Sequence, residues 1–110
     1  MDPTWEVDVR AVKQMIDRGQ DFLLLDVRQP EEHAHVNIER AKLIPLRELQ
    51  QRIEELSDYR DKPVIVHCHH GGRSMQATMF LRQQGFAGAQ NMAGGIDAWS
   101  LEIDPAKPRY

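Results

Sequence analysis

The sequence predicts an α/β domain with a mostly parallel central sheet and helices on both faces. Strand-like and helix-like segments alternate along the chain, which is typical of βαβ units. The segment from Phe22 to Asp26 is almost entirely apolar, as a parallel strand covered on both faces should be. A chain of 110 residues suits one domain, predicted over residues 1–110 with a core at about 5–101 and an irregular tail at 102–110.

In the first half of the chain, Asp8 caps the first predicted helix and Gly19 ends it. The apolar positions of this helix have helical spacing: Val9, Val12, Met15 and Ile16. After the Phe22–Asp26 strand, Pro30 opens a short helical turn, and a short strand at 42–44 is closed by Pro45. The next segment predicts an amphipathic helix with apolar positions Leu46, Leu49, Ile53 and Leu56.

The second half begins with a predicted strand over 64–67. A helix follows over 75–84 and ends at Gly85, and its predicted core-facing residues are Met75, Thr78, Met79 and Leu81. A last strand is predicted at 89–92, and Gly94 and Gly95 form a tight turn before a short helix in which Trp99 fills core space.

Charge and composition exclude several classes of protein. The formal net charge is −3, from 14 basic and 17 acidic residues, which argues against nucleic acid as a partner. The densest apolar run, at 22–25, is far shorter than the roughly 20 residues of a membrane span, so no membrane partner is predicted. The single cysteine forms no internal disulfide, which predicts a reducing, cytoplasmic location.

That cysteine, Cys68, is the predicted nucleophile. It follows the strand that ends at His67 and precedes the helix that begins near Met75. Backbone N–H groups and the positive end of a helix dipole converge at such a place. They stabilise a thiolate, which is the reactive form of cysteine.

The residues after Cys68 predict a curled loop that binds the substrate. Gly71 and Gly72 allow tight curling, so successive N–H groups can surround an anion. Arg73 closes the rim or braces the loop, and Ser74 either donates to the sulfur or caps the helix. The two remaining residues, His69 and His70, line the loop. No second cluster of ligands at zinc spacing follows, so no metal site is predicted.

The size of the loop distinguishes two reactions. Cysteine-dependent phosphatases place five residues between the cysteine and the arginine, whereas four separate Cys68 from Arg73. The smaller ring leaves less room for a phosphate but fits one additional sulfur on Cys68, which favours sulfur transfer. Two alternatives stay open, a non-catalytic binding or redox-sensing module and a small-loop phosphatase. Outside the loop, Arg28 and Glu32 are expected to form an ion pair, and Asp26 to anchor a turn.

The sequence resembles the rhodanese-like sulfurtransferase family over about residues 5–101. The matching segments are Asp26-Val27-Arg28 with Pro30-Glu31-Glu32, Ile38 with Ala41 and Ile44-Pro45, the loop from Cys68 to Ser74, and Gly94 to Trp99. At Val36–Arg40 the chain departs from the family's Gly-His-Ile-x-Gly-Ala, since both glycines and the histidine are replaced. The tail resembles the ends of rhodanese domains fused to cofactor-activating adenylyltransferases.

The resemblance implies a single rhodanese-like domain and a two-step reaction. The Cys68 thiolate takes a sulfur from a small donor such as thiosulfate and becomes a persulfide. An acceptor, which is a thiol or a protein in cells, then removes that sulfur. No metal or organic cofactor is implied, because the chemistry is nucleophilic catalysis by a positioned thiol.

Overall fold

The computed structural model describes residues 5–110, so residues 1–4 of the predicted domain lie outside the described residues. Within the described part, one five-stranded sheet has the order β1-β5-β4-β2-β3, and every pair of neighbouring strands is parallel. The strands are β1 (Glu6–Val7), β2 (Leu23–Asp26), β3 (Lys42–Leu43), β4 (Val64–His67) and β5 (Ala89–Met92). The predicted α/β architecture with a parallel sheet is therefore confirmed.

Helices cover both faces of the sheet. The α-helices are α1 (Val9–Asp17), α2 (Pro30–His35), α3 (Gly72–Gln83) and α4 (Gly95–Glu102). The Asp8 side chain accepts a hydrogen bond from the Ala11 N–H and caps α1 as predicted. Residues 103–110 form no helix or strand. Within residues 5–110, no helix has both the length and the apolar character needed to cross a bilayer.

The central strands send alternate side chains into two separate cores. On one face, Leu23 and Leu25 of β2 belong to a cluster that includes Leu81 of α3. On the other face, Leu24 of β2 packs in a cluster with α1 and with Trp99 of α4. The period of two along a strand explains this division, and burial on both faces explains why β2 is apolar up to Asp26.

The register of the strands brings three polar residues to one edge of the sheet. Asp26 at the end of β2 is paired with His67 at the end of β4, and Val66 of β4 is paired with Asn91 of β5. The carboxyl ends of parallel strands are where such sheets bind ligands. Cys68 follows β4 at this edge.

The predicted amphipathic helix over Leu46–Leu56 is wrong. The chain instead forms two 3₁₀ segments, Leu46–Glu48 and Ile53–Tyr59. Both helix types place residues three apart on one side, so the apolar spacing cannot distinguish them. The apolar positions pack as predicted, since Leu49 and Leu56 are buried in the same core as α3.

The helix predicted at Met75 begins three residues earlier, at Gly72. Thr78 and Leu81 are buried, as predicted, but Met79 is 44% exposed and does not face the core. The early start of α3 makes the end of the cysteine loop the first turn of the helix. Its amides therefore have no partners inside the helix.

The atypical Val36–Arg40 segment forms a turn that does not require the family's glycines. Val36 and Ile38 are buried, and the Ala41 N–H donates to the Ile38 carbonyl oxygen at 2.9 Å. In residues 5–110, every residue with a positive φ is a glycine, so this segment needs no left-handed conformation. Arg40 stacks its guanidinium 4.1 Å from the centre of the Phe22 ring and donates to the Phe22 carbonyl oxygen. This contact ties the segment to the start of β2.

Candidate active site

The sulfur of Cys68 lies inside a turn of backbone that directs hydrogen-bond donors at it. Cys68 is only 2% exposed. Its Sγ accepts from the Gly71 N–H at 3.1 Å, the Ser74 N–H at 3.4 Å and the Ser74 hydroxyl at 3.3 Å. Two of these donors belong to Ser74, in the first turn of α3, where N–H groups have no helical acceptor. The site can therefore hold a negative charge on sulfur.

These donors outweigh the effect of burial on the Cys68 thiol. Burial raises the pKa of Cys68, whereas hydrogen bonds from the Ser74 hydroxyl and from the backbone of Ser74, Gly71 and Arg73 lower it. The net result is a pKa below the ordinary value. A lowered pKa increases the thiolate fraction at neutral pH, as a nucleophilic cysteine requires.

Only one of the two loop glycines uses a conformation that needs glycine. Gly71 has φ +131°, where a side chain would be strained, and its carbonyl oxygen accepts from the Met75 N–H at 3.0 Å. Gly72 has no such φ, and a Cβ there would meet nothing within 4 Å. Tight curling of the loop therefore depends on Gly71, and Gly72 serves as the first residue of α3.

The Ser74 hydroxyl is positioned by Asn91 of β5. It lies 2.5 Å from the Asn91 Oδ1 atom and 3.2 Å from the Gly71 carbonyl oxygen, as well as 3.3 Å from Sγ. A hydroxyl has one proton to donate. An ionised sulfur is the strongest of these acceptors, so ionisation of Cys68 draws that proton to Sγ.

The N-terminus of α4 holds the other side of the loop. The Ile96 N–H donates to the Cys68 carbonyl oxygen at 2.9 Å, and the Asp97 N–H donates to that of His69 at 3.2 Å. A Cβ at Gly95 would meet these carbonyl oxygens at 2.6 Å and 2.4 Å, so only glycine allows this approach. The carbonyl groups of Cys68 and His69 therefore point toward α4. The N–H groups of Gly71 and Ser74, later in the loop, point toward the sulfur.

Arg73 braces the loop through a bidentate ion pair with Glu32 of α2. Its Nη1 and Nη2 atoms donate to the two carboxylate oxygens at 2.7 and 3.0 Å. The hydrogen bond from Arg73 lowers the pKa of Glu32 to about 2, although burial acts in the opposite direction. The Gln29 N–H also donates to this carboxylate at 3.0 Å. Arg73 therefore joins the start of α3 to α2.

The predicted ion pair between Arg28 and Glu32 is wrong. Arg28 is fully buried and forms its ion pair with Asp26, with Nη2 at 2.8 Å from Oδ2. Its contact with Glu32 is not an ion pair, because its Nη1 atom donates to the carbonyl oxygen of that residue, at 3.3 Å, and not to the carboxylate. Asp26 also accepts from the Arg28 N–H at 3.0 Å, so it anchors the turn after β2 as predicted. The spacing of four residues suggested the wrong partner because Asp26 lies nearer in the fold.

His69 and His70 stack on each other beside Asp97. Their ring centres are 3.9 Å apart, and His70 Nε2 lies 3.8 Å from the Asp97 carboxylate. These three side chains could converge on one metal ion, since their ligand atoms all lie within 4.8 Å of one another. However, Arg109 donates to both oxygens of Asp97, at 2.8 and 3.3 Å, so that carboxylate already has a cationic partner.

The family model described as "Rhodanese-like domain" matches residues 8–102. The chain belongs to this family. A sulfurtransferase of Allochromatium vinosum is 36% identical over 95 residues, covering 86% of this chain and 87% of that protein. The human single-domain sulfurtransferase TSTD1 has a solved structure with a TM-score of 0.77 and 28% identity, covering 89% of this chain and 96% of that one. The resemblance to the family is thus confirmed, and the relatives are sulfurtransferases.

Larger proteins also contain a similar rhodanese-like domain. The adenylyltransferase and sulfurtransferase MOCS3-2 of Zea mays is 32% identical over 109 residues, which is 94% of this chain but 23% of that protein. The putative sulfur carrier protein YrkF of Bacillus subtilis is 33% identical over 95 residues, covering 86% of this chain and 50% of that protein. The chain spans about a quarter of the plant enzyme and half of the bacterial protein.

The fold directs donors of three predicted loop residues, Gly71, Arg73 and Ser74, at the Cys68 sulfur. Three further contacts around the loop were not predicted from the sequence. Asn91 orients Ser74, Glu32 binds Arg73, and Tyr110 stacks on His69 with ring centres 3.9 Å apart. The sequence does contain a signal for Asn91, because a polar side chain near the end of an internal strand is unusual. Tyr110 had none, because it lies in an irregular tail that is distant in sequence from the loop.

Proposed function

We propose that this chain is a sulfurtransferase that carries one sulfane sulfur as a persulfide on Cys68, received from a small anionic donor such as thiosulfate. The observation that carries the proposal is the convergence of the Gly71 N–H, the Ser74 N–H and the Ser74 hydroxyl on Sγ. The terminal sulfur of a persulfide is also anionic, and it is bonded directly to the Sγ atom on which these donors converge. Donors aimed at a developing charge are the main source of stabilisation in such reactions.

In the first step, the Cys68 thiolate attacks the outer sulfur of thiosulfate. A new S–S bond forms, the S–S bond of the donor breaks, and sulfite leaves with that electron pair. The lowered pKa of Cys68 supplies the thiolate without a separate general base. We assign the His69–His70 pair to binding the anionic donor, and Arg73, which stays braced by Glu32, to holding the rim that the donor approaches. The backbone of Gly71 and Gly72 shapes the cradle.

In the second step, an acceptor thiolate, or cyanide in an assay, attacks the outer sulfur of the Cys68 persulfide. The acceptor gains that sulfur, and the bonding pair returns to Cys68 as a thiolate. The protein ends each cycle in the state in which it began. Gly71 and Ser74 stabilise the leaving thiolate as they stabilised the attacking one.

The bracing of Arg73 supports sulfur transfer over phosphate hydrolysis. A phosphatase of this type uses its arginine to bind phosphate oxygens in a bidentate manner. Here the Nη1 and Nη2 atoms of Arg73 already bind Glu32. A single sulfur on Cys68 needs the surrounding backbone amides and does not need that guanidinium as a direct ligand.

We place the reaction in the cytoplasm, where a lone cysteine stays reduced. The acceptor we propose is a cellular thiol or a sulfur-accepting protein.

The experiment is mass spectrometry of the intact protein before and after incubation with thiosulfate. The wild type should gain one sulfur atom and release it to cyanide as thiocyanate. Cys68→Ser is the matched control, since it leaves the chain without a thiol. If the wild type gains no sulfur, or if Cys68→Ser forms thiocyanate equally well, the proposal is wrong. Hydrolysis of an aryl phosphate would instead support the phosphatase.

A second candidate is a carrier that loads sulfur once and passes it on to a dedicated partner. The printed name of the Bacillus subtilis relative, putative sulfur carrier protein, favours it. The number of thiocyanate molecules formed per protein chain distinguishes the two functions. A transferase forms many in the presence of excess thiosulfate. A carrier that only its partner can load forms at most one, from the sulfur it already holds, because thiosulfate does not reload Cys68.

A further inference from the structure

The segment after α4 crosses the molecule to the side of the cysteine loop and is fixed there by charged contacts. Lys107, which is largely buried, places its Nζ atom 2.9 Å from the Glu39 carboxylate. Arg109 forms its bidentate contact with Asp97 of α4. These two anchors, one in the 36–40 segment and one in α4, precede Tyr110 and place it against the loop.

The ring of Tyr110 covers His69, the residue next to the nucleophile. The two rings are nearly parallel, with an angle of 4° and a centre-to-centre distance of 3.9 Å. His70 also stacks on His69 at 3.9 Å. Two rings cannot occupy the same face at that distance, so His69 lies between Tyr110 and His70. This arrangement holds the start of the loop, where Cys68 lies.

The hydroxyl of Tyr110 contacts the residues that hold the other end of the loop. It accepts a hydrogen bond from Arg28 Nη1 at 2.8 Å and donates to Glu32 Oε2 at 2.7 Å. Burial and the Glu32 carboxylate raise the pKa of Tyr110, with Arg28 acting in the opposite direction, so the phenol keeps its proton for this bond. Glu32 in turn binds Arg73.

We propose that Tyr110 is a positioning residue that clamps the cysteine loop at both ends, through His69 at its start and through Glu32 and Arg73 at its end. The assignment deepens the proposed sulfurtransferase function and rests on it. The ring and the hydroxyl act on different ends. The ring keeps Cys68 beside its amide donors, and the hydroxyl keeps Glu32 aligned with Arg73 at the rim that the donor reaches.

This division allows each end to be tested separately. Tyr110→Phe keeps the ring and removes only the hydroxyl, whereas Tyr110→Ala removes both. Tyr59→Phe is the matched control: Tyr59 is the other tyrosine of the chain, and it packs against the core on the α3 side with Lys62 over its ring. Tyr110 is itself 42% exposed, so its replacement leaves both cores intact.

The first measurement is the pH dependence of Cys68 alkylation by iodoacetamide, which does not require sulfur transfer. Arg28, Glu32 and His35 also face Tyr110, and all three are unchanged in these variants. We expect Tyr110→Ala to move the inflection upward, toward the ~8.5 of a free cysteine. Tyr110→Phe and Tyr59→Phe should keep the wild-type profile.

The second measurement is the KM for thiosulfate. Both Tyr110 variants should raise this KM by about threefold to tenfold. Tyr110 acts on the donor indirectly, so only part of the free energy of its charge-assisted hydrogen bond affects donor binding. The value for Tyr59→Phe should equal that of the wild type. An unchanged alkylation profile in Tyr110→Ala, or an unchanged KM in Tyr110→Phe, would overturn the clamp. If the wild type accepts no sulfur at all, the proposed function fails, and the alkylation profiles alone then decide the clamp.

Discussion

Gly95 and His69 are packed so closely that a Cβ atom at residue 95 would lie 2.4 Å from the His69 carbonyl oxygen. This contact joins the first turn of α4 to the first residues of the cysteine loop. The neighbouring Ile96 N–H donates to the Cys68 carbonyl oxygen. This hydrogen bond can form because Gly95 lets α4 approach the loop closely. The geometry of the site therefore depends on a residue that does not touch the sulfur.

Gly95→Ala should lower the free energy of unfolding by about 3 kcal/mol, from left-handed strain of ~1–2 kcal/mol and a further overpacking cost. Gly19→Ala is the matched control, because Gly19 has φ +64° and Gly95 has φ +60°, but a Cβ at residue 19 meets nothing within 4 Å. Urea denaturation of both variants measures the difference. Only Gly95→Ala should also slow the alkylation of Cys68. Equal effects of the two substitutions would show that the contact with His69 is unimportant.

Ser74→Ala should raise the pKa of Cys68, because the hydroxyl of Ser74 is among the groups that lower it. Cys68 is then less ionised at neutral pH. We expect alkylation at pH 7 to be about threefold to tenfold slower, since a hydrogen bond to a charged group is worth ~1.5–3 kcal/mol and a more basic thiolate is intrinsically more nucleophilic. At high pH, where both proteins are fully ionised, the variant should react faster than the wild type.

Ser100→Ala provides the control for Ser74→Ala. Ser100 is also buried, at 3% exposure, and its hydroxyl has no hydrogen-bond partner. Its removal should leave the alkylation profile unchanged and cost little stability, because an unpaired buried hydroxyl is unfavourable. If Ser74→Ala gives the same profile as Ser100→Ala, the hydroxyl of Ser74 does not act on the sulfur.

Arg73→Lys should weaken the binding of an anionic donor although it conserves the charge. A lysine cannot donate to both carboxylate oxygens of Glu32 in the fork geometry of arginine. We expect the KM for thiosulfate to rise by about tenfold, because the bidentate hydrogen bond to the Glu32 carboxylate is lost. The change in kcat should be smaller. Arg52→Lys is the control, since Arg52 makes a comparable contact with Glu55 in a 3₁₀ segment. Similar KM values for both variants would contradict the role given to Arg73.

Most of the fold could be predicted from the sequence because its signals are local. The uninterrupted apolar run of β2 indicates burial on both faces, and Asp8 indicates the start of α1. The position of Cys68 between a strand and a helix indicates amides directed at sulfur. Local spacing was insufficient for the segment after Pro45, where 3₁₀ and α-helical turns place the same residues on the same side.

The contacts that complete the site are long-range, and no local pattern contains them. Arg73 and Glu32 are 41 residues apart, and Tyr110 is 82 residues from Arg28. The sequence offered Glu32 as a partner for Arg28 at a spacing of four, but the fold places Asp26 against Arg28 in full burial and leaves Glu32 to Arg73. Desolvation favours the closest and most complete pairing of buried charges, and that pairing depends on the tertiary structure.

His67 should make the protein less stable as the pH falls from about 6.5 to about 4. Burial lowers the pKa of His67 to about 4, the Asp26 carboxylate acts in the opposite direction, and the Arg28 guanidinium lowers the pKa further. Both ring nitrogens are buried without a hydrogen-bond partner. The unfolded chain therefore binds a proton near the ordinary pKa of 6.5 while the folded protein does not. The stability from neutral His67 is complete above pH 6.5 and decreases as the pH approaches 4.

His67→Leu should remove this dependence, because leucine does not titrate. The difference in unfolding free energy between the variant and the wild type should grow by up to ~1.4 kcal/mol per pH unit as the pH falls between these limits. Urea denaturation at several pH values measures it, and the constant difference expected above pH 6.5 is the internal control. Since the neutral ring adds no positive charge beside Cys68, sulfur loading at pH 7 should persist in His67→Leu. Parallel stability curves would mean that His67 is protonated in the fold, and loss of loading would mean that its ring contributes to the chemistry of Cys68.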